Sequence, residues 1–117
     1  MREIKFRVWS VLATRMINWE NIFHLPAWEI FPGTPEQRPF NVMQYTGLKD
    51  KNGVEIYEGD IVKKSSGAVG QVVYLKATAG YKLYNAGQVF DIFESDARYL
   101  EVIGNIYENP ELLKDNK

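Results

Sequence analysis

The chain has 117 residues, 45% hydrophobic and 25% charged, with a net charge of −1, a single histidine and no cysteine. That length fits one domain, able to bury about two-thirds of the surface its unfolded chain exposes. Without cysteine there is no disulfide framework, thiol nucleophile or cysteine-ligated metal site, and near-zero charge gives no bulk attraction to nucleic acid or anionic membrane.

The start, Met1 to Arg7, alternates charged and apolar residues, unlike the continuous apolar core of a signal peptide. No run approaches the ~18 apolar residues of a membrane helix, so the expected location is the cytoplasm. Residues 3–9 place Ile4, Phe6 and Val8 on one side and Lys5, Arg7 and Trp9 on the other, the period of a half-buried strand. Met16 to Trp19 supplies its expected hairpin partner. Residues 20–41 carry Pro26, Pro32, Pro35 and Pro39, which rule out a long helix and interrupt any central strand. Phe23, Trp28, Ile30, Phe31 and Phe40 make the same stretch too apolar for a solvated linker.

Val42 to Tyr45 reads as a strand ended by Thr46-Gly47, and Asp50-Lys51-Asn52-Gly53 as a tight turn, since Asn and Gly accept positive φ. Glu55 to Tyr57 is short and extended, and Glu58-Gly59-Asp60 turns into a strand from Ile61 to Lys64. After a turn at Ser65-Ser66-Gly67 come strands at Gln71 to Lys76, Tyr81 to Tyr84 and Gln88 to Ile92, joined near Ala79-Gly80 and Asn85-Ala86-Gly87. Short strands at this spacing predict a barrel or sandwich. Phe93 to Ala97 reads as one helical turn. Leu100, Val102 and Ile106 share a face of the next strand, where Gly104 marks a bulge or a close backbone approach. Asn109-Pro110-Glu111 starts a short helix with a capping residue, a proline at the first helical position and an acid in the first turn. Leu112 and Leu113 then dock it.

Two blocks are specific beyond this pattern. Gln44 to Gly53, continuing through Glu55 to Val62, resembles the central signature of the YopX family, and Val102 to Leu113 resembles its C-terminal signature. Lys5-Phe6-Arg7-Val8-Trp9 is similar to the family's opening motif, and order and spacing match over nearly the whole chain. Ser10 stands where the family often has an acid, which bears on the first turn. Residues 18–41 and 76–99 carry no family motif. The resemblance implies a protein of bacteriophages and prophages, hence of a bacterial host's cytoplasm, and it implies no reaction.

Candidate chemistry is thin. His24 lacks the companions of a zinc site and the nucleophile turn of a triad, and reads as a packed or surface side chain. Asp50, Asn52 and Gly53 resemble part of a calcium loop, but the register fails: its first ligand would be Leu48 and its last Gly59. Glu55, Glu58 and Asp60 form the densest carboxylate cluster, a pattern that can serve hydrolysis or a divalent ion; an exposed turn is the simpler reading. Gly67-Ala68-Val69-Gly70 lacks the lysine and hydroxyl of a phosphate loop. No catalytic residue, metal ligand or cofactor is assigned.

Two binding readings remain. Trp9, Trp19, Phe23, Trp28, Phe31 and Phe40 are a large aromatic load for an irregular stretch, and tryptophan is enriched at interface hot spots. They point to protein contacts, with a second copy of the chain or with a host or phage protein. The alternative is nucleic acid: Lys63, Lys64, Lys76 and Lys82 lie near Tyr74, Tyr81 and Tyr84, and could hold a backbone while rings stack on bases. The bland reading of those lysines is a solvated edge that resists aggregation. The sequence thus predicts one mainly β domain over residues 1–117. Residues 42–113 form an SH3-like, partly open barrel with a C-terminal helix, and residues 1–41 a hairpin and an aromatic-rich wrap. Glu58 to Val73 resembles the opening strands of such barrels.

Overall fold

The structure, a computed structural model, describes residues 3–22, 40–85, 87–92 and 97–114. His24, Phe23, Trp28, Phe31, the four prolines of the wrap and most of the turn expected at Phe93 to Ala97 lie outside the described residues. The fold is mainly β, as the alternation predicts. It divides into two compact units, Met1–Tyr45 and Thr46–Lys117.

In the first unit β1 (Phe6–Ser10) is flanked antiparallel by β2 (Arg15–Ile17) and by the first half of β3 (Phe40–Lys49). Period two turns Phe6, Val8 and Ser10 to one face. Val8 is fully buried there with Ile17 and Ile22, and Phe6, Trp19, Phe40 and Val42 pack against them. The hairpin partner is shorter than expected. Asn18 leaves the strand to accept the N–H of Asn21 on its side-chain oxygen at 3.1 Å, so Trp19 opens a helical turn, α1 (Trp19–Ile22), because capping competes with extension at this residue. Ser10 Oγ accepts the N–H of Ala13 at 3.1 Å, so the first turn keeps a side-chain acceptor where the family often has an acid.

Thr46-Gly47 does not end β3, which runs on to Lys49. Gly47 takes φ +91° within the strand, and Thr46 Oγ1 spans the irregularity, donating to Ile56 O at 2.7 Å and accepting from Leu48 N–H at 3.2 Å. The second unit continues with β4 (Glu55–Tyr57), β5 (Asp60–Lys63), β6 (Val69–Leu75), β7 (Gly80–Asn85), β8 (Gln88–Asp91), β9 (Glu101–Asn105) and α2 (Glu111–Lys114). Five of these strands form one antiparallel sheet in the order β8-β7-β6-β5-β9. Its core holds Ile56, Val62, Val72, Leu83, Ala97 and Leu100, with Leu48, Ile92 and Val102 packed on them. Lys64, just past β5, places its ammonium 4.3 Å from the centre of the Phe90 ring on β8, although β6 and β7 intervene. That is the curl expected of a partly open barrel.

Three further expectations change in detail. Lys76 leaves β6 for a 3-10 turn over Lys76–Thr78 that ends at Ala79 with φ +52°. Opposite Ile61 and Val62 the ladder passes from Gly104 to Val102, so Ile103 is the extra residue of the expected bulge. The close approach at Gly104 is to a side chain, since a Cβ there would meet Asn109 Oδ1 at 2.5 Å. That oxygen reaches back to accept the N–H of Asn105 at 3.2 Å rather than forward onto α2. Asn109 serves the helix through its backbone, Leu112 N–H donating to Asn109 O at 3.1 Å.

Candidate binding groove

The two ends of the five-stranded sheet differ. At β9, Asp50 and Lys51 cover the backbone: Val102 N–H donates to Asp50 Oδ2 at 2.9 Å, and Lys51 N–H donates to Leu100 O at 2.9 Å. At β8, all four residues are exposed and no described residue outside β7 bonds the backbone. Val89 and Phe90 are 44% and 38% exposed. Unpaired strand edges are templates for another strand, and proteins usually blunt them. Among the described residues, one edge is covered and the other is not.

Beside β8 lies a groove of about 330 Å³ lined by Lys64, Ser65, Leu83, Asp91, Ile92, Tyr99 and Leu100. Leu83 forms an apolar floor, being only 3% exposed. Phe90 pairs directly with Leu83 in the ladder and so shares its face. Asp91 is neutralised by an ion pair with Lys82, its cross-strand partner. Lys64 is half-buried, and its ammonium rests on the Phe90 ring. Tyr99 is 66% exposed.

The register sorts the lysines and tyrosines read from the sequence. Tyr74 pairs with Tyr81, and Val72 with Leu83, so Tyr74 and Tyr81 stand on the face of Leu83, their rings edge-on with centroids 5.5 Å apart. Lys82 and Tyr84 stand on the opposite face, as does Lys63. Lys64 and Lys76 lie beyond the strand ends. The seven residues do not make one surface. Of the aromatics, Trp19 and Phe40 pack against the core of the first unit, and Trp9 is half-buried on the other face of β1.

The carboxylate cluster also changes character. Asp60 is 1% exposed, and its Oδ2 accepts the N–H of Tyr57 at 2.7 Å; it is a buried turn anchor, because a carboxylate that bonds the backbone can leave solvent. Asp50 is likewise buried, with its oxygens on the N–H groups of Asn52, Val54 and Val102. Among the described residues no three His, Asp or Glu side chains cluster as metal ligands would, and no helix is long and apolar enough to cross a membrane. Sequence reasoning missed Phe90, Tyr99 and the groove. The Val-Phe pair at the end of the strand run was visible, but its place at a sheet edge depends on strand order, which no local pattern encodes.

A small, mainly β protein with a groove beside a sheet edge that no other described residue pairs is the class that this geometry defines. A family model described as YopX protein matches residues 5–114, and the chain belongs to the YopX family. Its fold is similar to the crystal structure of protein EF1440 from Enterococcus faecalis, with a TM-score of 0.69 and 27% identity over 97% of this chain and 99% of that one. It is also similar to protein yopX from Bacillus subtilis, with a TM-score of 0.58 and 19% identity over 97% and 99% of the two chains. No curated protein matches the chain. Neither structural neighbour is described by an activity.

Proposed function

We propose that this protein is a non-enzymatic phage or prophage accessory protein that works in the host cytoplasm through protein–protein contacts, by self-association or by binding a host or phage protein. The observation that carries this reading is the edge at β8, where exposed Val89 and Phe90 accompany a backbone that no described residue outside β7 bonds. Main-chain pairing supplies affinity at such an edge, and neighbouring pockets supply selectivity. The β9 edge supports it by contrast, since Asp50 and Lys51 cover that side and no described residue covers the other.

Light scattering at tens of micromolar, together with a pull-down from host lysate resolved by mass spectrometry, tests the reading. Self-association, or retention of a protein lost when Phe90→Lys is introduced, is expected. A monomer that retains no protein overturns it. The nucleic-acid reading ranks second, because the Lys/Tyr set divides between two faces and Lys82 is engaged by Asp91. It predicts affinity that falls steeply with salt, and it fails if Lys76→Glu with Lys82→Glu leaves binding unchanged.

A further inference from the structure

We infer that the groove beside β8 binds an extended peptide in which acidic and apolar residues alternate, the peptide adding as a strand to β8 while Lys64 takes one of its carboxylates. The inference rests on the protein-contact reading and names the chemistry of the partner. Three features on one side of the sheet converge. No described residue outside β7 bonds the β8 backbone; Phe90 offers apolar surface on the face whose floor includes the buried Leu83; and Lys64 has no carboxylate within ion-pair distance among the described residues, its ammonium lying on the Phe90 ring.

Strand spacing fixes which residue of the peptide matters. An added strand lies ~4.8 Å from β8, so its residue opposite Phe90 points into the groove. A Glu at that position reaches the ammonium held above Phe90. Its neighbours in the peptide point to the other face, beside Val89, where apolar side chains find exposed surface. Because Lys64 is half-buried against a ring, a charge-assisted hydrogen bond there is stronger than one on open surface. A polyanion is a poorer fit. The groove lining has no second cation: the one other charged residue there, Asp91, is acidic and already paired with Lys82, whereas phosphate chains are held by several cations at once.

Fluorescence anisotropy on the full chain tests this with three labelled peptides: one alternating Glu and Val, one alternating Lys and Val, and the first with a central Pro. The Glu/Val peptide is expected to bind and to slow amide exchange in β8 while leaving β9 unchanged. The Pro version is expected to lose that binding, because proline cannot donate to the ladder. Lys64→Met, which keeps an unbranched stem on Phe90, is expected to weaken binding about tenfold, the worth of one hydrogen bond to a charged group. Lys64→Glu is expected to reverse the preference toward the Lys/Val peptide. Equal affinity of the wild type and Lys64→Met, equal binding of the Pro peptide, or protection away from β8 overturns the inference. If the protein self-associates or retains a partner while the peptides ignore Lys64, the groove assignment falls and the protein-contact reading stands. A monomer that retains no protein and binds none of the peptides overturns both.

Discussion

Asp50 accepts the backbone N–H of Val102 at 2.9 Å, tying a tight turn to a strand 52 residues further along the chain. The same carboxylate accepts Asn52 N–H at 2.8 Å and Val54 N–H at 2.9 Å, so one side chain closes the turn and caps the β9 edge together. Asp50→Asn replaces one acceptor oxygen by a donor, which must then face a backbone N–H. A loss of about 2 kcal/mol is expected, from one broken charge-assisted bond and one stranded donor, measured as a lower urea midpoint at neutral pH.

The pH dependence of that contribution has a definite sign. Burial acts to raise the Asp50 pKa, but the N–H groups of Val102, Val54 and Asn52, with the charge of Lys51, outweigh it and hold the carboxyl below its ordinary value of 3.8. The folded state therefore binds this proton more weakly than the unfolded state. The stabilisation is fully present above the unfolded pKa and fades as pH falls through the lowered folded value. Urea midpoints taken from neutral to acid pH are expected to show a steeper acid decline in the wild type than in Asp50→Asn. Parallel declines would remove Asp50 from the explanation.

The turn itself was legible in the sequence, because Asp-Lys-Asn-Gly carries its own backbone instructions. The tie to Val102 was not, since nothing local to either segment announces a bond across 52 residues. The same division holds elsewhere. Alternation over residues 3–9 located β1, which runs Phe6–Ser10, flanking turn residues placed β5 and β7 to within a residue at each end, and Gly104 flagged the bulge. Gly47 misled because positive φ usually marks a turn, whereas here Thr46 carries the strand across it. The candidate groove was hidden for a related reason. Phe90 looks like any strand residue until the strand order puts it at an edge.

Gly53 tests the turn directly. It sits at φ +80°, and a Cβ there would meet nothing within 4 Å, so any penalty for a side chain comes from the backbone alone. Gly53→Ala is expected to cost about 1 kcal/mol, and Gly53→Asn less, because Asn tolerates left-handed geometry. Chemical denaturation of the two variants checks the order. Equal stability of all three proteins would place the strain elsewhere.

Gly104 makes the opposite case, with negligible freedom in space. An alanine Cβ there would meet Asn109 Oδ1 at 2.5 Å, Cγ at 2.7 Å and Cβ at 2.8 Å. Gly104→Ala is expected to destabilise by about 1–3 kcal/mol as Asn109 is driven off Asn105 N–H. Asn109→Gly removes the obstacle at the cost of that bond. In the double variant the two costs are expected to fall short of their sum by at least about 0.5 kcal/mol, the signature of residues in contact. Strict additivity would show that the two positions do not press on each other.

Ile56 and Lys82 separate core from edge. Ile56 is fully buried among Val62, Val72 and Leu83, so Ile56→Ala removes packed methyl groups and leaves space that the sheet cannot refill, at a cost of about 2–5 kcal/mol. Lys82 spans from β7 to Asp91 on β8 in an ion pair on the sheet surface, where attraction is screened and side-chain entropy opposes it, so Lys82→Ala is expected to cost under about 1 kcal/mol. Its effect should shrink further as salt is raised. Urea melts at low and high ionic strength check both. A large, salt-insensitive loss from Lys82→Ala would mean that this edge is held by packing along the lysine stem, and that β8 is less open to a partner strand than its exposure implies.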